Sequence, residues 1–209
     1  MTASAERTHV VLDWDGTVTE HDTLDLVLQQ FGDPDVYARV EAELGETLTL
    51  DEVIAQEFAT VRAPLDEVVH WLLERAQIRP GFAELARAYR PLLVSGGFHE
   101  LIEPLLDREG LLGTVELRAN RLDPRPEGWS VRFRISDRCA ACGEACKRGD
   151  LPPGRVVYAG DGYADRCAAL AADRVYATGS LAGWLAERDV LFRSLTNFYE
   201  LAADLAAAA

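Results

Sequence analysis

His9-Val10-Val11-Leu12-Asp13-Trp14-Asp15-Gly16-Thr17 is the stretch on which the fold turns. Val10 to Leu12 form an aliphatic run too short for a helix, so they predict a buried strand, and Asp13 to Thr17 read as a polar turn at its carboxyl end. The same pattern recurs twice. Pro91-Leu92-Leu93-Val94 runs into the turn Ser95-Gly96-Gly97, with a helix predicted over 99–109. Arg155-Val156-Val157-Tyr158-Ala159 runs into Gly160-Asp161-Gly162, followed by an Ala-rich helix predicted over 165–172. Val175-Tyr176-Ala177 predicts a short fourth strand, and helices are expected over 181–188 and 195–208. Strands alternating with helices predict an α/β fold with a parallel sheet, whose sites lie at the carboxyl ends of the strands. All three polar turns sit at such ends.

Between the first two strands the period changes. Leu24, Val27, Leu28 and Phe31, then Val53, Ile54, Phe58 and Val61, then Val68, Val69, Leu72 and Leu73 recur at helical spacing. Gly32-Asp33-Pro34, Gly45-Glu46-Thr47 and Ala63-Pro64 punctuate them, which predicts a helical block with no strand inside it. Farther on, Pro124-Arg125-Pro126-Glu127-Gly128 separates two strand-like runs and predicts a β-hairpin over 115–134.

The turns carry the chemistry. Asp13 and Asp15, two apart after a buried strand, start out on one side of the chain, close enough to share a small reaction centre. Asp161 and Asp165 bring two further carboxylates to the same edge. Acids so gathered repel unless a cation joins them, and oxygen ligation suits Mg²⁺. An anionic substrate then needs a cradle of donors: Ser95 with the backbone amides of Gly96 and Gly97 at a helix N-terminus, and a cation. Lys147 is the chain's only lysine among 21 basic residues, which marks a place for a compact charge where arginine's planar fork does not fit.

Asp13-Trp14-Asp15-Gly16-Thr17-Val18, Ser95 after an aliphatic run, Lys147, and Gly160-Asp161-Gly162-Tyr163-Ala164-Asp165, in that order, resemble the four motifs of the haloacid dehalogenase superfamily of aspartate-nucleophile phosphatases. The resemblance spans nearly the whole chain. It implies a Rossmann-like parallel sheet core with helices on both faces, formed by residues 1–20 and 86–209. From Asp13 to Ser95 is 95 − 13 = 82 residues, far more than a direct crossover needs, so 21–85 is similar to the helical cap inserted after the first motif in the phosphoserine phosphatase branch. Within that branch, the Ser95-Gly96-Gly97-Phe98 turn, the cysteines before Lys147 and Gly160 to Ala169 look like the group containing the 2-hydroxy-3-keto-5-methylthiopentenyl-1-phosphate phosphatase of methionine salvage. Phosphoserine, phosphocholine and phosphoethanolamine phosphatases and phosphomutases are the alternatives. The chain departs from the pattern at Trp14, where Phe is commoner, and at Asp22, where phosphoserine phosphatases typically carry Glu.

The resemblance implies that Asp13 is the nucleophile and Asp15 the general acid and base. Mg²⁺ is expected on Asp13, the Asp15 carbonyl and Asp161. Asp165 is expected to orient Lys147 or a metal-bound water, and Ser95 and Lys147 to hold the phosphate oxygens. Glu20, His21 and Asp22 follow the nucleophile loop, and Asp22 is the candidate substrate contact among them. Carbon–halogen hydrolysis, which needs no Asp15-type acid, and a non-enzymatic binding module both fit the retained acids poorly.

Cys139, Cys142 and Cys146 lie within eight residues, and Cys167 completes a possible four-thiolate Zn²⁺ site; the alternative is that Cys146 and Cys167 pack as small apolar residues near the active site and the other two lie in a loop. The chain has 209 residues, 35 acidic against 21 basic, a net charge of −14 and 48% hydrophobic residues. Such an acidic surface disfavours nucleic acid and anionic membranes as partners and leaves a small phosphorylated metabolite as the expected one. No secretory signal or membrane-spanning run is read, and the cysteine usage suits a reducing, cytoplasmic setting.

Overall fold

The structure, a computed structural model, describes residues 8–135 and 137–207. Its core is a sheet of seven strands in the order β4-β3-β2-β1-β5-β6-β7, with β1 Thr8–Leu12, β2 Leu92–Phe98, β3 Glu116–Asp123, β4 Ser130–Arg132, β5 Arg155–Gly160, β6 Arg174–Ala177 and β7 Arg193–Ser194. All neighbours are parallel except the antiparallel β3–β4 pair, which is the hairpin expected from Pro124 to Gly128. β1 lies between β2 and β5, so Asp13, Ser95 and Asp161 emerge side by side at one edge.

Strand alternation sorts the core into two faces. Val10 and Leu12 of β1, with Val157 and Ala159 of β5, pack into one hydrophobic cluster. It includes residues of α5 (Phe82–Tyr89), α6 (His99–Arg108) and α9 (Phe198–Ala207). Val11, Val156 and Tyr158 point the other way, toward α7 (Arg166–Ala169) and α8 (Gly179–Ala186). The helices therefore cover both faces, as expected of a doubly wound sheet.

The helical block consists of α1 (Thr23–Phe31), α2 (Pro34–Glu41), α3 (Leu50–Phe58) and α4 (Leu65–Arg75). Its breaks follow local chemistry. Asp33 caps α2 with Pro34 in the first turn, and Thr49 with Glu52 closes a capping box on α3. The chain leaves the sheet layer and returns through one neck, where Thr19 pairs with Ile78 and the Glu20 amide donates to the Gln77 carbonyl at 2.9 Å. α5 then packs against α9. The return to the sheet layer thus falls near residue 78, earlier than helical periodicity alone suggests, because α5 keeps the same period while packing elsewhere. Phe58 joins the block to the sheet, its ring edge-on to Phe98 at 4.7 Å and stacked on Trp129 at 6.3 Å.

Four expectations are corrected. β2 does not end at Val94 but continues through Ser95-Gly96-Gly97 to Phe98, with a register shift against β3. α7 spans four residues rather than 165–172, since Asp173 turns back to take the Val156 amide at 2.7 Å. The short edge strand β7 lies in what reads as loop, and α9 starts at Phe198 rather than 195.

Glu57 of α3 is 5% exposed, and its Oε1 has no hydrogen-bond partner among the described residues. Burial first, then the negative charges of Glu41 and Asp25, push its carboxyl from 4.5 up to about 8. The folded state therefore holds a proton that the unfolded chain releases, so this group costs stability as pH rises from about 4.5 through 8. Glu57→Gln is expected to leave stability unchanged at pH 4 and to raise it by about 1–3 kcal/mol at pH 9, read from urea melts.

Candidate active site

Asp13 leaves β1 with its backbone amide bonded to the Ala159 carbonyl of β5 at 2.9 Å. Its carboxylate is buried. Oδ1 accepts from Lys147 Nζ in a short ion pair, and Oδ2 from Thr17 Oγ1 at 3.3 Å. Lys147 opens a 3₁₀ turn, Lys147–Asp150, and its Nζ also reaches Asp165 Oδ1 at 2.7 Å. Lys147 is 6% exposed and Asp165 only 1%, so this is a desolvated acid–lysine–acid bridge. Burial works against the ammonium, yet Asp13 and Asp165 outweigh it and hold the Lys147 pKa above its ordinary value.

Asp165 has both oxygens committed. Oδ1 takes Lys147 and the Tyr158 hydroxyl at 2.6 Å, while Oδ2 takes the amides of Asp161 and Gly162, each at 2.9 Å. Burial pushes its pKa up, but Lys147 and these donors prevail and hold it below the usual carboxylate range. Asp13 goes the other way: burial, then Asp165, raise its carboxyl well above the ordinary value despite Lys147. Asp161 is raised to about 6, by burial first and Asp165 second. Oxygens of Asp13, Asp161 and Asp165 lie within 4.8 Å of one another. One lysine does not neutralise three such acids, and the surplus negative charge of hard oxygen donors fits a divalent cation such as Mg²⁺.

Asp15 faces away from this cluster. Oδ1 accepts from the Thr23 amide at 3.1 Å and, in a short bond, from the Thr23 hydroxyl; Oδ2 accepts from Ser95 Oγ at 3.1 Å. Burial raises its pKa, and the Thr23 and Ser95 bonds only partly offset that. Ser95 Oγ in turn accepts from the Gly97 amide at 2.8 Å. Because β2 runs on to Phe98, the Gly96 and Gly97 amides belong to a strand and not to a helix N-terminus, a second correction to the phosphate cradle read from the sequence.

Gly16 has a φ of +68°, and a Cβ there would lie 2.3 Å from Asp161 Oδ2, so only glycine lets the nucleophile loop close on the β5 turn. Arg79, returning from the helical block, braces that loop through the carbonyls of Gly16 and Thr17, each at 2.7 Å. Sequence reading missed Arg79, Thr23 and Tyr158. For Tyr158 a signal existed, since a tyrosine inside a buried strand needs a partner for its hydroxyl. Trp14, the departure from Phe, is fully buried and meets the edge of Phe82 at 6.3 Å.

A cleft of about 320 Å³ opens above Ser95, Gly96 and Lys147, walled by Leu50 and Ile54 of α3 and by Tyr163. Glu20, His21 and Asp22 are not among its lining residues. Asp22 instead caps α1, its Oδ1 accepting from the amides of Leu24 and Asp25 at 2.8 and 3.1 Å. The apolar wall of this cleft thus comes from α3, while α1 meets the site through Thr23 on Asp15 and Asp22 stays bonded to its own helix.

This chain matches the haloacid dehalogenase-like hydrolases over residues 10–170. The 2-hydroxy-3-keto-5-methylthiopentenyl-1-phosphate phosphatase of Geobacillus thermodenitrificans (strain NG80-2) is 30% identical over 202 residues, 90% of this chain and 91% of that protein. The like-named enzyme of Bacillus thuringiensis subsp. konkukian (strain 97-27) is 27% identical over 210 residues, 94% of each. A phospho-aspartyl intermediate analogue of phosphoserine phosphatase superposes with a TM-score of 0.69 at 18% identity, covering 96% of this chain and 99% of that one. A substrate-bound phosphoserine phosphatase gives 0.69 at 17% identity over 94% and 98%. Sheet, site and family match agree: the chain belongs to the haloacid dehalogenase-like hydrolase family. Within that family it is a phosphatase.

Proposed function

We propose that this phosphatase hydrolyses a small-metabolite phosphomonoester through an aspartyl-phosphate on Asp13, with Mg²⁺ held by Asp13, Asp161 and the Asp15 carbonyl. The observation that carries the reading is Lys147 Nζ bridging Asp13 and Asp165 at the sheet edge where Ser95 and Asp161 also emerge. Asp13 attacks phosphorus while Lys147 and Ser95 hold non-bridging oxygens, so donors already in place meet the developing charge. The raised pKa of Asp15 suits it to protonate the departing alkoxide and then, as carboxylate, to take a proton from the hydrolytic water. The cation, when bound, screens the gathered carboxylates and the incoming phosphate. Asp165, with four donors on its two oxygens, is assigned to positioning Lys147 and not to metal ligation.

The helical block α1–α4, within the 21–85 read from the sequence, acts in this reading as a cap over the sheet core, with α3 closing on the leaving group. The Leu50 and Ile54 wall gives the substituent an apolar surface. A methylthio-ketose monophosphate, the kind of substrate in the names of the two relatives given above, matches that wall better than an amino-acid phosphate does. Phosphate release from a panel of phosphomonoesters is expected to stop with EDTA and return with Mg²⁺, the ketose phosphate having the highest kcat/KM. Release unaffected by chelation, or fastest on a phosphopeptide, would overturn the reading.

A further inference from the structure

The cysteines have no part in the phosphoryl-transfer step proposed above, though Cys142, Cys146 and Cys167 line the same cleft as Ser95 and Lys147, and all four converge. Cys139, Cys142 and Cys146 come from the loop leading to Lys147, and Cys167 from α7; their Sγ atoms lie within 4.8 Å of one another. The Cys139–Cys167 separation is 3.9 Å, nearly twice the roughly 2.05 Å of a disulfide. It matches the edge of about 3.8 Å that a tetrahedron of sulfurs has around an ion with Zn–S near 2.3 Å. Thiols packed as small apolar groups have no reason to point four sulfurs at one point, because a thiol is a weak donor and a weak acceptor.

The surrounding backbone is arranged for thiolates. Gly143 follows Cys142 with a φ of +79°, and its amide closes the turn onto the Cys139 carbonyl at 2.8 Å. The Ala141 amide points at Cys139 Sγ at 3.4 Å. Four thiolates around a divalent ion carry a net charge of −2, and an amide donor such as that of Ala141 at a sulfur partly offsets it.

We infer that Cys139, Cys142, Cys146 and Cys167 bind one structural Zn²⁺ that staples the Lys147 loop to the helix following Asp165. Four protein ligands leave no open position for chemistry, as in a structural site. Cys146 directly precedes Lys147, and Cys167 lies two residues after Asp165, so the ion crosslinks the two partners of the buried ion pair. The far end of the loop is already anchored, since Arg134 grips Asp150 at 2.8 and 2.7 Å. The consequence for turnover rests on the role proposed above for Lys147; the metal site itself does not.

The test is metal analysis of the whole protein, purified without chelator from zinc-supplemented medium. About one zinc per chain is expected, with the four thiols protected from a thiol reagent until the metal is extracted. Cobalt added to the extracted protein should give the intense visible bands of a tetrahedral thiolate site. The Cys139→Ser/Cys142→Ser double variant should lose zinc and show faster hydrogen exchange over 137–150. Where that variant fails to fold, cobalt binding to the extracted wild-type chain decides. Four freely reacting thiols with no zinc or cobalt uptake, or a Cys139–Cys167 disulfide under reducing purification, would sink the site; bound iron would overturn its assignment to zinc. Zinc stoichiometry with no phosphatase activity on any ester would fault the proposed function and leave the site standing.

Discussion

Asp13→Asn is expected to lower kcat by at least about 10⁴-fold, because an amide is a poor nucleophile and nothing else at this edge occupies the same position. The fold should survive. Asn has nearly the shape of Asp, and the wild-type carboxylate is strained by burial and by Asp165, so its neutralisation removes an electrostatic cost. Lys147 keeps Asp165 at 2.7 Å as its partner. Tm should therefore shift by no more than about 4 °C, while stabilisation by added Mg²⁺ largely disappears. Single-turnover phosphate release at the wild-type rate would overturn Asp13 as nucleophile.

Lys147→Ala is expected to cost both activity and stability. Removal of the only buried cation in the acid–lysine–acid bridge leaves Asp13 and Asp165 facing each other out of water, an uncompensated arrangement worth about 3–5 kcal/mol. The pH dependence has a definite sign. In the wild type, Asp165 sits below its ordinary 3.8, so it contributes stability above that value and loses it as pH falls through the lower folded value. Without Lys147 that contribution vanishes, so the deficit should be largest at pH 7–8 and shrink toward pH 4, as the carboxylates protonate. The kcat should fall by about 10²–10³-fold, the scale for deleting one preorganised donor. Lys147→Arg should recover part of the stability and little of the activity, since a planar fork replaces a point charge between two acids. Urea melts at two pH values and steady-state kinetics read both effects; a pH-independent deficit, or kcat within tenfold of wild type, would contradict this role for Lys147.

Much of this was legible in the residues because it is local. Aliphatic runs of strand length, each ending in a polar turn, define β1, β2 and β5, and parallel pairing then has one way to bring Asp13, Ser95 and Asp161 to one edge. Gly32-Asp33-Pro34 marks a helix start for the same reason: the Asp33 side chain satisfies amides two and three residues away. The lone lysine could be singled out by type alone.

What the sequence left undecided depends on partners distant in the chain. Whether Asp165 ligates a metal or holds Lys147 turns on the Tyr158 hydroxyl and two amides that use up its oxygens. Whether Asp22 faces substrate turns on its capture by the α1 amides, and the wall that does face the cleft comes from α3, more than 25 residues later. Arg79 had no local signature, because the carbonyls it holds, those of Gly16 and Thr17, are 63 and 62 residues away. The spacing of Cys139, Cys142 and Cys146 raised the question of zinc, but only the folded loop brings Cys167 to the same point. Periodicity and caps arise from neighbours within a turn or two, so one chain displays them; orientation at a buried site is set by whichever distant groups satisfy each oxygen and sulfur, and those exist only once the sheet has formed.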